Sequence, residues 1–78
     1  MNKNLPPLNA TERFEIPYPD GTLIRFHDSK QVYVMLEGTK RLIPSRVVFQ
    51  QHGFDFEDVK VVTDATLFSL IDNGPDLS

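Results

Sequence analysis

The stretch VYVMLEGTKRLIPSRVVFQQHG, residues 32–53, decides the fold. Its first five residues alternate as a β-strand requires, with aliphatic side chains on one side and Tyr33 and Met35 on the other. Gly38 supplies the positive φ that a tight hairpin connection needs. Residues 40–43 are therefore predicted to return as a second strand.

The same stretch also marks the start and the end of a helix. Pro44 cannot donate to a strand ladder, so it ends the second strand. Ser45 follows at the position of an N-cap, where its hydroxyl accepts a hydrogen bond from a free amide of the first turn. Gly53 fits the position just beyond the helix end. The pattern predicts strand, turn, strand and helix in that order.

Length and composition limit what the chain can be. Its 78 residues form one domain, and a chain this short buries only about 60% of the surface that it exposes when unfolded. It has no cysteine, so neither a disulfide framework nor a thiolate metal site is expected. The formal net charge of −3 argues against a general nucleic-acid binder.

Targeting signals are absent from the sequence pattern. No apolar run is long enough to predict a membrane span. The polar start MNKN at residues 1–4 lacks the apolar core of a signal peptide. We therefore expect a cytoplasmic location by default.

Outward from the central stretch, four prolines lie within residues 1–19, which we expect to form an extended or mobile arm. Phe14 and Ile16 are expected to dock as an edge segment. The turn PDG at 19–21 then leads into a strand over residues 22–26. A single α+β domain is predicted over residues 20–78.

The C-terminal part is predicted to form a turn at residues 54–58, a short strand at 59–62 and a second helix. Thr63 or Asp64 caps this helix, and Gly74-Pro75 stops it. Three consecutive antiparallel strands, a meander, are the simplest arrangement of the earlier elements. The predicted fold is a small antiparallel sheet of three to four strands with two short helices.

The order of these motifs resembles a short bacterial repeat, which recurs, often in tandem, in secreted and cell-surface proteins and beside cell-wall-active domains. The resemblance covers residues 21–77, and its most specific part is I-P-S-x-x-V-F-x-x-x-G at residues 43–53. It implies an accessory or interaction module of bacterial or phage type with no assigned chemistry. Phe56 stands where the family usually has another aromatic, often Trp, and this chain carries a single copy.

Candidate catalytic and metal sites are weak. Ser45 and His52 are seven residues apart, too far for a direct hydrogen bond along one helix, and the N-cap role suits Ser45 better. His27-Asp28, and His52 with Asp55 and Asp58, contain metal-ligand side chains, but the sequence has no H-E-x-x-H or similar spacing. A loose calcium site on the acidic turn is only slightly better supported. We expect no enzyme activity, no cofactor and no metal.

Two alternatives to an interaction module remain open. Five of the eight basic residues lie in the middle of the chain, and six of the eleven acids follow Gly53. Such polarity favours a self-assembling subunit, in which the basic middle of one copy contacts the acidic end of another. Residues 46–59 also fit a helix-turn-helix of a small DNA-binding regulator, but the acids at 55–58 would repel phosphate.

The leading hypothesis is a non-enzymatic interaction module. It would present the central hairpin and the helix start to a protein or a surface polymer. The exposed aromatic is expected to be Tyr33, because most phenylalanines in so small a domain must be core. The predicted partner-binding residues are Arg25, Tyr33, Lys40, Arg41 and Arg46, and the four cations among them would form a basic patch if they converge on one face.

Overall fold

The computed structural model of the protein describes residues 16–78, which form one five-stranded sheet and two short helices. The strand order across the sheet is β4-β1-β2-β3-β5. In chain order the elements are β1 (Leu23–Phe26), β2 (Tyr33–Leu36), β3 (Thr39–Leu42), α1 (Arg46–Gln51), a 3₁₀ turn (Phe56–Asp58), β4 (Val59–Val62), α2 (Ala65–Leu70) and β5 (Asp72–Asn73).

The central hairpin forms as predicted. Strands β2 and β3 pair antiparallel from Tyr33 opposite Leu42 to Leu36 opposite Thr39. The two residues between them both have positive φ, 54° at Glu37 and 76° at Gly38. Positive φ at both positions is what a two-residue turn of the right twist requires.

The α+β class is confirmed, but the prediction of a purely antiparallel sheet was wrong. The meander of β1, β2 and β3 is antiparallel. Strand β4 pairs parallel to β1, and β5 pairs parallel to β3, so the sheet is mixed. Parallel pairs need crossover connections, and α1 and α2 supply them.

The sheet buries side chains on both faces. On the α1 face, Leu23, Val34 and Ile43 pack with Phe49 of α1. On the opposite face, which we call the α2 face, Ile24, Met35 and Val62 pack with Ile71, just beyond α2. Alternation along each strand explains the division, since neighbouring residues point to opposite faces. The small core is therefore two cores that share one sheet.

The helix starts follow the predicted caps. The hydroxyl of Ser45 accepts a hydrogen bond from the Val48 amide at 3.2 Å. Asp64, one of the two predicted caps of the second helix, accepts from the Leu67 amide at 3.0 Å. Each cap satisfies an amide that has no partner within its helix.

The predicted end of the second helix was wrong. Helix α2 ends at Leu70, and Asp72–Asn73 form β5 instead of continuing toward Gly74-Pro75. Ile71 takes an extended conformation and is fully buried, so packing ends the helix early. Gly74 has a different role from a helix stop: a Cβ there would lie 2.6 Å from the Thr39 hydroxyl oxygen. Its missing side chain lets the C-terminal segment lie against β3.

Most of the predicted arm, residues 1–15, lies outside the described residues, including Phe14. The last residues of the predicted arm contact the fold: Ile16 and Tyr18 pack against the core of the α2 face. No helix within residues 16–78 is long and apolar enough to cross a membrane.

The hairpin turn provides a first prediction. Gly38→Ala should lower the free energy of unfolding by about 1–2 kcal/mol, because a Cβ is disfavoured at positive φ. The added methyl would touch nothing within 4 Å, so the cost is conformational. Glu37→Asn should instead raise the free energy of unfolding, since Asn tolerates positive φ better than Glu. Urea unfolding of both variants tests the turn, and equal stabilities would contradict the assignment.

Candidate partner-binding groove

The α1 face of the sheet is only partly covered. Helix α1 has six residues, and Phe49 is its single buried residue. Beside it lies an open cavity of about 290 Å³, which adjoins a second cavity of about 760 Å³. Both cavities are lined by Lys30, Val32 and Phe56. We call these two neighbouring cavities together the Phe56 groove.

Two apolar side chains of the groove face solvent. Phe56 is 56% exposed and Val61 is 49% exposed. Large apolar side chains that remain open next to a cavity are typical of a surface that binds something.

The ring of Phe56 is held in place from two directions. It stacks on the Phe49 ring with centroids 4.2 Å apart and planes at 19°. Its backbone belongs to the 3₁₀ turn that Asp55 caps, with the Asp55 carboxylate accepting from the Glu57 amide at 2.9 Å. A capped turn and a stacked ring orient Phe56 in advance, which lowers the entropy that binding would cost.

The charged residues among 16–78 that line the groove are mostly basic, with Asp28 as the single acidic one. Arg46, at the start of α1, lies at one end, and Lys30 lies between the two cavities. Both are exposed, and neither forms an ion pair with any side chain of residues 16–78. These two cations are therefore available to a negatively charged partner.

Arg25, a predicted partner-binding residue, lines the other end of the groove. Its guanidinium donates to the Ser29 carbonyl at 3.1 Å and makes longer contacts with the carbonyls of Phe26 and His27. Arg25 thus orders the loop that carries Lys30. Its role in the groove is mainly to position this loop.

Two other predicted residues lie on the opposite side of the sheet. Tyr33 is half-buried and packs edge-on against Phe68 of α2, with centroids 5.5 Å apart. Lys40 is only 5% exposed. Alternation places both on the α2 face, so they do not contribute to the groove. The exposed aromatic of this domain is Phe56, rather than Tyr33.

The ammonium of Lys40 is enclosed at the end of α2. It donates to the carbonyls of Phe68 at 3.1 Å and Ile71 at 2.5 Å, and lies 4.8 Å from the centroid of the Phe68 ring. A cation at a helix C-terminus satisfies carbonyls that lack an amide partner. Burial lowers the pKa of Lys40 below its ordinary value, and the carboxylate of Asp72 opposes part of this decrease.

The remaining predicted residue, Arg41, is also held within the fold. Its Nη2 lies 3.5 Å from the Glu37 carboxylate across the hairpin turn, and its stem lies beside Gly74. The structure therefore brings Arg25 and Arg46 to one groove, and leaves Tyr33, Lys40 and Arg41 outside it.

The candidate catalytic and metal residues have other partners. Ser45 caps the start of α1, whereas His52, at its end, contacts the Ser78 carbonyl oxygen through Nε2 at 2.9 Å. His27 lies 3.3 Å from Asp28. Within residues 16–78, no group of three or more acidic or histidine side chains is placed to hold a metal ion.

The helix-turn-helix interpretation needs a second helix after Gly53. The structure has a 3₁₀ turn and the strand β4 there. A three-residue turn cannot lie in a DNA groove as a recognition helix does, so this interpretation of residues 46–59 was wrong.

Lys30, Phe56 and Val61 were not among the partner-binding residues predicted from the sequence. One signal was present for Phe56, because it stands between Asp55 and Glu57, and an aromatic flanked by acids is poorly placed for a core. Nothing in the sequence indicated that Val61 would be exposed, since it lies in an apolar strand.

The lowered pKa of Lys40 predicts how stability depends on pH. Between this pKa and the unfolded value of about 10.4, the unfolded chain binds more protons, so stability rises with pH. Relative to Lys40→Met, the wild type should therefore gain stability from neutral pH to about pH 10.4. Urea unfolding of both proteins across this range gives the free energy of unfolding of the wild type minus that of the variant. A value that stays constant or falls as the pH rises would contradict the burial of a charged Lys40.

The position of Phe56 predicts a small effect on folding. Phe56→Ala should lower the free energy of unfolding by about 1–2 kcal/mol, since mainly one aromatic stack is lost. Phe49→Ala, in the core beneath it, should cost about 3–5 kcal/mol. Thermal and urea unfolding compare them, and equal losses would mean that Phe56 is a core residue.

Comparison of the chain with protein-family models, with curated proteins and with solved structures finds no match. The resemblance to the bacterial surface repeat therefore stays a prediction.

Proposed function

We propose that the protein is a non-enzymatic interaction module that binds a protein segment in the Phe56 groove. The observation that carries this proposal is the exposed ring of Phe56, oriented by Phe49 beside two cations that have no ion-pair partner among the described residues. Aromatic side chains in the centre of an interface contribute much of its binding energy.

The chemistry of the groove indicates what kind of segment fits. Its floor and one wall are apolar, through Val32, Ile43 and Phe49, and its rim carries Lys30 and Arg46. A segment with a large apolar side chain and neighbouring carboxylates would satisfy both parts. Rim cations would speed and orient the encounter, while the apolar centre would supply most of the affinity.

This proposal keeps the function expected from the sequence and moves its binding surface. Arg46 stays at the surface as a partner contact, and Arg25 supports the loop beside it. Lys40, which is buried, acts within the fold. The surface therefore lies on the α1 face, away from the hairpin turn.

Site-specific photocrosslinking tests the proposal. The full chain would carry p-benzoylphenylalanine at position 56, which keeps an aromatic ring in the groove. The matched control would carry it at position 70, because Leu70 is also exposed, at 42%, but belongs to α2 on the opposite face. We expect crosslinked species of defined mass from position 56 in the producing cells, and none of the same mass from position 70.

Lys30→Glu combined with Arg46→Glu should abolish the crosslinks from position 56, since the rim would then repel carboxylates. Crosslinks that persist in this variant, or that form equally from position 70, would contradict a binding site in the groove. So would the absence of any crosslink from position 56.

A further inference from the structure

The surface around Phe56 carries charges of both signs. Lys30 and Arg46 line the groove, while Glu57 and Asp58 follow Phe56 directly in the 3₁₀ turn. All four residues are exposed, and none of them forms an ion pair within residues 16–78. Two free cations and two free carboxylates thus flank one exposed aromatic ring.

The two signs lie toward opposite ends of β1. The basic groove reaches Arg25, near the end of the strand. Asp58 lines a separate cavity of about 460 Å³ beside Leu23, at the start of the strand, together with Asp20, Asp55 and Lys60. Strand β4 runs parallel to β1, with Val59 beside Leu23 and Val61 beside Arg25. The α1 face therefore has one end that is positive on balance, despite Asp28, and one that is negative on balance, despite Lys60.

Such a surface complements itself. Consider two copies that face each other across a two-fold axis lying between them and perpendicular to β1. Their strands then run in opposite directions, so the positive end of each copy lies opposite the negative end of the other. A two-fold interface uses the same patch on both subunits, which makes every charge contact occur twice.

We propose that the partner in the Phe56 groove is a second copy of this chain, in a two-fold dimer. This inference rests on the proposed function, since it names the partner of the same groove. Phe56 of each copy enters the groove of the other, and the adjoining Glu57 and Asp58 face the partner copy's Lys30 and Arg46. The 3₁₀ turn is itself a segment with a large apolar side chain beside carboxylates, which is the ligand that the groove requires.

The closed symmetry distinguishes this dimer from a head-to-tail chain. A two-fold contact uses both patches at once and leaves no free site for a third copy. A head-to-tail contact would instead extend into longer assemblies. Light scattering after size exclusion should therefore give a dimer at low salt, with no larger species. The dimer should weaken at high salt, because exposed charges are then screened.

Truncation of the aromatic ring tests the centre of the interface. Phe56→Ala should raise the dissociation constant of the dimer about 30-fold or more, as removal of a central aromatic does in other interfaces. Leu70→Ala is the matched control, being exposed on the opposite face, and should leave the constant unchanged. Sedimentation equilibrium measures both, with circular dichroism to show that the variants are folded.

Charge reversal tests the pairing. One variant carries Lys30→Glu and Arg46→Glu, and a second carries Glu57→Lys and Asp58→Lys. Each alone should be monomeric, because like charges then face each other. Their mixture should form a heterodimer, since both sets of opposite charges are restored.

A control variant separates this pairing from simple attraction between proteins of opposite charge. It carries Thr66→Lys, Ser69→Lys and Asp76→Lys, which give the same formal net charge as the second variant but leave Glu57 and Asp58 in place. Mixed with the first variant, it should form no heterodimer, because its Glu57 and Asp58 would face the introduced glutamates, whereas in its own homodimer both sets of charges are opposite.

The outcomes separate the two proposals. A protein that is monomeric at every concentration and salt, or an oligomer that Phe56→Ala does not weaken, overturns the dimer. An assembly larger than a dimer overturns the two-fold arrangement. In those cases crosslinks from position 56 to a different protein would leave the interaction module standing. A monomer without such crosslinks would overturn both.

Discussion

Burial on both sides of the central strand is the constraint on which the structure depends. Strand β2 places Val34 on one face and Met35 on the other, both almost fully buried. Each face therefore needs its own cover, yet the chain has only one six-residue helix for each. The two crossings of the chain, over the α1 face to β4 and over the α2 face to β5, make β4 and β5 parallel to their neighbours. The mixed sheet is a consequence of covering both faces with so short a chain.

Lys40 holds the end of the second crossing against the sheet. Helix α2 ends after six residues against the sheet, where its last carbonyls have no amides of a following turn to accept from. The Lys40 ammonium reaches from β3 and donates to two carbonyls at that end. Burying a cation carries a desolvation cost, which is seen in its lowered pKa. The contact lies where the chain turns from α2 directly into β5, beside the strand that carries Lys40.

The groove arises because the cover of the α1 face is incomplete. Helix α1 and the 3₁₀ turn cover part of this face, and Phe49 closes the core there. Val61, and the ring of Phe56 on the turn itself, remain open to solvent. Because the same short turn carries both this ring and two carboxylates, one small surface combines an apolar anchor with charges of both signs. The proposed binding surface thus has the same origin as the mixed sheet: the chain is too short to cover both faces completely.

Three features were determined by the sequence alone, through local chemistry. They are the hairpin turn at Glu37-Gly38, the caps at Ser45 and Asp64, and the alternation that divides each strand between two faces. These depend on neighbours within a few residues, where backbone preference and spacing are decisive. Only the tertiary structure decided the parallel edges, the early end of α2, and which charged and aromatic side chains reach solvent. Lys40 and Phe56 show why: a lysine on a strand is buried because distant carbonyls accept its hydrogen bonds, and a phenylalanine is exposed because no element is left to cover it. Both depend on where segments far apart in sequence meet, and short-range patterns do not encode that.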